Sequence, residues 1–231
     1  MTPLIEMRHI SKAFPGVQAL KDVSLAVYGG EVHMLVGQNG AGKSTLIKIL
    51  CGAYRPDQGE FLRDGKPVHI TSTKDARRLG IAVIFQEFSL VPYLDIAQNI
   101  FLGREFPGRL PGTVDRPRMH AEARRILDLV GMDADTHTKA HRLGVAQQQL
   151  LEIAKALSQN AKVLVMDEPT AAISDREIER LFGIIRKLRA EGIAIIYISH
   201  RMREVLEIGD RITVLRDGAN VASLWPSETT M

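Results

Sequence analysis

Cysteine, long apolar runs and basic runs are scarce or absent in this chain of 231 residues. Cys51 stands alone, so no internal disulfide can form, and a reducing compartment is expected. No stretch approaches the roughly 18 consecutive apolar residues of a membrane-spanning helix. Residues 1–10 contain Glu6 and Arg8 and lack the apolar segment of a signal peptide. We therefore expect a protein that reaches a membrane only by docking onto another chain.

Charge and apolar content are those of an ordinary globular domain. The chain has 30 Lys and Arg against 27 Asp and Glu, a net charge of +3, and 45% of its residues are hydrophobic. Without a dense basic segment, nucleic acid is not an expected partner. The length predicts one domain, or one domain with an inserted subdomain.

Strand patterns occur on both sides of a block with helical periodicity, residues 89–158, which has a Pro- and Gly-rich loop at 107–117. Short strands at 4–10 and 23–28 and a hairpin around Asp64-Gly65 predict antiparallel pairing. The predicted fold is α/β, with a parallel core sheet, an antiparallel β subdomain and an inserted α-helical subdomain. The predicted boundaries are a core of residues 1–88 and 159–222, a helical subdomain of residues 89–158 and a tail of residues 223–231.

A phosphate-binding motif follows the buried strand predicted at 31–36 and precedes the helix predicted at 44–51. The sequence matches G-x-x-x-x-G-K-[ST], the P-loop of P-loop NTPases, at every required position. Backbone amides of such a loop bind phosphate oxygens, Lys43 reaches the β- and γ-phosphates, and the Ser44 hydroxyl binds Mg²⁺. The alternative is a Gly-rich turn with a solvated lysine. The predicted ATP-binding residues here are Gly37, Gln38, Asn39, Gly40, Ala41, Gly42, Lys43, Ser44 and Thr45.

Two adjacent carboxylates end the apolar strand predicted at 163–166. Because side chains alternate along a strand, Asp167 and Glu168 point in different directions and can take different roles. Asp167 is the predicted Mg²⁺ ligand, and Glu168 is the predicted general base for the attacking water. The alternative is a solvated Asp-Glu-Pro turn.

Two weaker candidates also follow apolar strands. His200 comes after the strand predicted at 193–198, where a neutral imidazole would bond the γ-phosphate; alternatively it caps the next helix. Gln86 comes after the strand predicted at 81–85 and could equally be a polar strand edge. His137 and His141 have helical metal-pair spacing, but the segment is cationic and no third ligand is close in sequence, so we do not predict a metal site there.

Taken together and in this order, these motifs resemble the ATP-binding cassette (ABC) family over nearly the whole chain. The resemblance implies that Phe14 stacks on adenine and that Gln86 joins the catalytic set and the Mg²⁺ ligands as the Q-loop. It also implies that His200 is the H-loop and that Ser174 and Asp175 form the D-loop, at the start of a helix predicted to end at Gly192. The signature segment then comprises Leu143, Gly144, Val145, Ala146 and Gln147.

Several segments between and around these motifs, such as residues 90–105, 147–149 and 197–201, resemble the first cassette of bacterial monosaccharide importers. In that subfamily one polypeptide carries two cassettes and works with transmembrane permease subunits and a periplasmic sugar-binding protein. The resemblance implies ATP and Mg²⁺ as cofactors and a peripheral position on the cytoplasmic face of the inner membrane. The tail at 223–231 is then expected to be a truncated linker to a second cassette.

The signature departs from the family pattern Leu-Ser-x-Gly-Gln at two positions, Gly144 and Ala146. In the family each signature completes the partner cassette's P-loop site. We therefore expect Gly144 and Ala146 to impair the partner's site and not the site of this chain. Two other function classes stay open: an ABC ATPase acting on nucleic acid or ribosomes, and a regulatory ATP-binding module with weak hydrolysis.

Overall fold

The computed structural model describes residues 2–225, which form two compact units. The first unit contains residues 2–83, 161–168 and 185–225. The second contains Ile84–Asn160 and Pro169–Ile184, so residues 169–184, which lie in the predicted core, cluster with the helical block. Within the described part of the chain, no helix is both long enough and apolar enough to cross a bilayer.

The antiparallel subdomain is a four-stranded sheet in the order β2-β1-β4-β5. The hairpin prediction around Asp64-Gly65 is confirmed: both turn residues have positive φ, and the strands on either side pair antiparallel. The pairing predicted for the first two strands is confirmed as well, although both strands are longer than expected. The strands are β1 (Ile5–Phe14), β2 (Val17–Val27), β4 (Gln58–Arg63) and β5 (Lys66–Val68).

The core sheet has six strands in the order β10-β9-β3-β8-β7-β6. β3 pairs parallel with both β8 and β9, and β7 pairs parallel with β8. Only one described pairing in this sheet, β9 with β10, is antiparallel. The carboxyl ends of β3 and β7 therefore flank that of β8, the edge at which ligands bind in open α/β sheets. The strands are β3 (Val32–Val36), β6 (Ile81–Ile84), β7 (Val163–Asp167), β8 (Ala194–Ile198), β9 (Arg211–Arg216) and β10 (Ala219–Leu224).

Helices follow the predicted periodicity, with one addition. The six-residue helix α2, capped by Ser72, has too short an apolar pattern to be read from periodicity. In the second unit, α3, α4 and α5 pack on one another around buried residues such as Ile100, Leu127 and Leu151. The helices are α1 (Lys43–Leu50), α2 (Thr73–Arg78), α3 (Ile96–Phe101), α4 (Arg116–Leu129), α5 (Val145–Leu157), α6 (Asp175–Ala190) and α7 (Met202–Ile208), with a 3-10 turn at Ala140–Arg142.

Two predicted boundaries were wrong. The loop predicted at 107–117 ends earlier, because Asp115 caps α4 and Pro117 lies in its first turn, where a missing N–H costs no hydrogen bond. The tail predicted to begin at Ser223 begins later, because Ser223 and Leu224 pair with β9. Residues 226–231 of that predicted tail lie outside the described residues.

Candidate active site

Two glycines determine the path of the loop between β3 and α1. A Cβ on Gly37 would lie 2.4 Å from the carbonyl oxygen of Leu215. Gly42 has φ of 103°, and a Cβ there would lie 2.7 Å from Leu20 Cδ2 and 2.8 Å from the carbonyl oxygen of Ala19. Backbone atoms cannot move aside as a flexible side chain can, so both positions accept only glycine.

Lys43 lies inside this loop and is buried, with only 8% of its surface exposed. Its ammonium donates to the carbonyl oxygens of Gly37 at 2.6 Å and Gln38 at 3.0 Å. These bonds account for two of its three N–H donors. The loop therefore holds a desolvated positive charge within its own curve, where an anion would be attracted strongly.

The start of α1 adds partial positive charge to the loop. No side chain caps this helix, and its first turn contains no acidic residue. The first backbone N–H groups of a helix have no partner within it, so an uncapped start next to Lys43 suits an anion. Ser44 is exposed and Thr45 half-buried at this start.

The two predicted carboxylates lie at the end of β7 and are both half-buried. Glu168 has a positive φ of 48°, and its N–H donates to the carbonyl oxygen of Ile198, the last residue of β8, at 3.1 Å. This bond ties the left-handed turn to the neighbouring strand. Glu168 Oε1 then lies 3.2 Å from His200 Nδ1.

His200 follows β8 and is exposed, with 64% of its side chain accessible. It does not cap α7, because the N-cap position of that helix is Arg201. The fold thus pairs the imidazole with Glu168 across 32 residues of sequence. Both groups belong to the first unit, as do Lys43 and Asp167.

Burial makes the negative charge of Asp167 costly, and a bound cation would offset this cost. Burial, followed by the charge of Glu168, raises the pKa of Asp167 above its ordinary value, while Lys43 and Lys48 act in the opposite direction. Carboxylate and hydroxyl oxygens, here those of the half-buried Asp167 and the exposed Ser44, are the hard ligands that Mg²⁺ prefers. The residues present therefore fit the predicted cation.

Phe14 lies at the end of β1 and is 36% exposed. The ring of Tyr54 packs edge-on against it at 5.5 Å, and Lys12 lies 5.6 Å from its centroid. Sequence reasoning missed Tyr54. The only signal was an aromatic just after the Gly52 that ends the P-loop helix.

The remaining predicted residues belong to the second unit. Gln86 is exposed just after β6. In the signature segment, Gly144 is the N-cap of α5, and its N–H donates to Gln147 Oε1 at 3.2 Å. At the start of α6, Glu177 accepts hydrogen bonds from the backbone N–H and the hydroxyl of Ser174. Asp175, the first residue of α6, is exposed.

Sequence reasoning also missed a buried carboxylate in the second unit. Glu152 is only 6% exposed, and its two oxygens accept from the N–H and hydroxyl of Ser89. Lys155 donates to the same hydroxyl at 2.9 Å. The segment that follows Gln86 is thereby attached to α5. A glutamate within the apolar stretch 150–154 was the available signal.

The chain is a P-loop nucleotide-binding domain of α/β type. It is defined as such by the strand β3, the glycine-controlled loop that follows it, the uncapped start of α1 and the paired carboxylates at the end of β7. The predicted fold class is confirmed. A family model described as ABC transporter matches residues 20–171. The chain belongs to the ABC transporter family.

Curated relatives support the finer resemblance. The chain is 58% identical over 218 residues to ribose import ATP-binding protein RbsA 1 of Rubrobacter xylanophilus, covering 94% of this chain and 43% of that protein. It is 51% identical over 221 residues to ribose import ATP-binding protein RbsA of Hahella chejuensis, covering 96% and 44%. The predicted resemblance is confirmed, and the chain spans less than half the length of these relatives.

Solved structures agree on the fold. A nucleotide-free ATP-binding cassette from an ABC transporter matches with a TM-score of 0.86 at 28% identity, covering 96% of this chain and 91% of that one. An ATP-binding cassette of an ABC transporter in its ADP conformation matches with a TM-score of 0.85 at 27% identity, covering 99% and 93%.

Proposed function

We propose that this chain binds Mg-ATP and hydrolyses its γ-phosphate. The observation that carries the proposal is the placement of Glu168. Its carboxylate is held at the end of β7 by a backbone bond to β8 and lies 3.2 Å from His200, in the unit that contains Lys43 and Asp167. A module that only bound nucleotide would have no need of a base at this position.

Each group has a separate role in the proposed reaction. Lys43 and the loop amides bind the β- and γ-phosphate oxygens and stabilise the charge that develops there. Glu168 accepts the proton of the attacking water. A neutral His200 has one N–H, which it donates either to the Glu168 carboxylate, orienting it, or to the γ-phosphate. Phe14 supports the adenine ring.

Asp167 and Ser44 hold Mg²⁺ in this proposal, with Gln86 as a further ligand. When bound, the ion supplies positive charge that polarises the phosphoryl oxygens. Asp167 is suited to this task because it is half-buried, so its charge is poorly compensated by water.

The relatives' names and the share of their length that is covered support a role in sugar import. We propose that the chain is the first cassette of a two-cassette subunit, paired with a second cassette. That subunit would dock onto transmembrane permease subunits at the cytoplasmic face of the inner membrane and serve a periplasmic sugar-binding protein. Residues 143–147 and the D-loop residues Ser174 and Asp175 would face the second cassette.

ATP turnover measured against the concentration of this chain tests the proposal. We expect the isolated chain to bind Mg-ATP but to turn it over only when the second cassette is present, because that cassette supplies the signature that completes this site. A rate that rises faster than linearly with concentration, and disappears in Glu168→Gln, would instead mean that two copies pair. Absence of Mg-ATP binding would contradict the proposal.

The altered signature predicts one working site and one silent site. In the two-cassette protein we expect Gly144→Ser with Ala146→Gly to leave turnover nearly unchanged. Residues 143–147 serve the partner's site, and in the sugar importers that this chain resembles the P-loop of that second site often departs from consensus too. The serine fits at 144, where φ is −66° and no atom lies within 4 Å of an added Cβ. A several-fold rise in turnover would show that the altered signature limits the rate.

A regulatory ATP-binding module with weak hydrolysis is the second candidate, and the altered signature is the observation that favours it. The two candidates differ in what Glu168→Gln does. If turnover in the two-cassette protein is the same with and without this substitution, the regulatory function is the correct one.

A further inference from the structure

Three potential metal ligands meet in the second unit, away from every residue assigned above. Asp95, His120 and His137 each offer one ligand atom, and these atoms all lie within 4.8 Å of one another. Asp95 and His120 are largely buried, with side chains 18% and 14% exposed. This arrangement differs from the sequence-based pairing of His137 with His141, which the fold separates: His141 packs against Tyr93 instead.

Backbone hydrogen bonds bring the three residues together. The N–H of Ile96 donates to the carbonyl oxygen of Thr138 at 3.0 Å, and the N–H of Ala97 donates to that of Thr136 at 3.2 Å. The segment 136–139 is thereby attached to the first turn of α3, beside the N-cap Asp95. α4 supplies His120, whose ring stacks on His137 with centroids 3.7 Å apart.

Hydrogen bonds orient both buried ligands. His120 Nδ1 lies 3.0 Å from the hydroxyl of Thr136, which is only 7% exposed. With Nδ1–H donating to this hydroxyl, Nε2 carries the lone pair, as in a metal-binding histidine held by its outer partner. Asp95 uses Oδ1 to accept from the N–H of Gln98 at 2.7 Å. Its other oxygen, Oδ2, lies 4.0 Å from His120 Nε2.

Two lone-pair-bearing atoms facing each other at this distance leave room for a cation. Metal–ligand bonds to Zn²⁺ are about 2.0–2.2 Å long. A shift of the two side chains by a few tenths of an ångström would therefore let Asp95 Oδ2 and His120 Nε2 bind one ion together. His137 is exposed and lies in a loop, so its ring can turn out of the stack to contribute its nitrogen.

We propose that Asp95, His120 and His137 form a binding site for Zn²⁺, independent of ATP. Two imidazoles and one carboxylate suit Zn²⁺, whereas Mg²⁺ prefers oxygen ligands alone. Three protein ligands leave a fourth position for water. The bound ion would join the start of α3, the start of α4 and the segment 136–139, and so stabilise the helical unit.

Calorimetric titration of the nucleotide-free chain, purified without a polyhistidine tag, with Zn²⁺ tests the proposal. We expect one ion per chain and a Kd raised tenfold or more in His120→Gln and His137→Gln. Asp95→Asn should weaken binding while it preserves the helix cap, since asparagine caps as well as aspartate. Co²⁺ in place of Zn²⁺ should give the visible spectrum of a four-coordinate nitrogen and oxygen site.

His141→Gln is the matched control, because His141 is exposed in the same unit and bonds only the carbonyl oxygen of Pro92 in the described contacts. Its Kd for Zn²⁺ should equal that of the unmodified chain. The proposal is overturned if the unmodified chain takes up no Zn²⁺. It is equally overturned if His137→Gln and His141→Gln bind alike, because the ion then lies elsewhere, for example at the P-loop site. Neither result depends on ATP hydrolysis.

Discussion

Replacing Glu168 with glutamine should lower ATP turnover in the two-cassette protein by about 10²–10⁴-fold, the usual contribution of a general base. The amide keeps the shape of the carboxylate and the oxygen that approaches His200, but it cannot accept a proton from water. Mg-ATP binding should survive, because Lys43, Ser44 and Asp167 are unchanged. Steady-state phosphate release measures the rate, and calorimetry on the isolated chain measures the binding.

Glu60→Gln is the control for this substitution. Glu60 is exposed on β4 in the same unit, so its loss of charge should leave turnover within experimental error. Turnover of Glu168→Gln within about threefold of the unmodified protein would exclude Glu168 as the base. His200 or a group from the second cassette would then be the residue to examine.

Lys43→Met should have the second large effect, on binding as well as on rate. Loss of a charged hydrogen-bond donor costs about 1.5–3 kcal/mol, which is roughly tenfold to a hundredfold in the Kd for Mg-ATP. Turnover should fall by a further factor of roughly 10²–10³, because the donor also stabilises charge in the transition state. Methionine keeps the apolar stem and fills the same buried space.

The Lys43→Met chain must fold for this result to be informative, since Lys43 also bonds two loop carbonyls. Its free energy of unfolding, from urea denaturation, should therefore be reported beside the Kd. Lys66→Met, on the exposed strand β5, is the charge-matched control and should bind Mg-ATP normally. A Kd for Lys43→Met equal to that control would remove Lys43 from the phosphate site.

Local features of the fold were predictable because they depend on the backbone preferences of residues that are adjacent in sequence. The turn at Asp64-Gly65 follows from two residues that tolerate positive φ. The loop between β3 and α1 follows from glycine positions that neighbouring backbone enforces, as at Gly37 and Gly42. Errors occurred at element ends, such as Pro117 and Ser223, where one cap or one strand partner decides the boundary.

The candidate site was predictable only as separate pieces. The P-loop, Asp167, His200 and Gln86 each follow a strand, and the carboxyl ends of parallel strands share one edge of a sheet, which is why these residues could be predicted as candidates. Which pieces touch was not predictable. The approach of Glu168 to His200 depends on β7 lying next to β8, and the packing of Tyr54 on Phe14 depends on a loop far from β1 in sequence.

The amino-acid sequence by itself determined the P-loop, the order of strands and helices and the chemical types at the strand ends. These are properties of contiguous residues, set by backbone preference and by the spacing of apolar side chains. Only the tertiary structure decided the partners of His200 and Lys43, and the meeting of Asp95, His120 and His137. Those contacts form because hydrogen bonds between strands and around helix ends bring distant segments within a few ångströms, and no local pattern records which segments will meet.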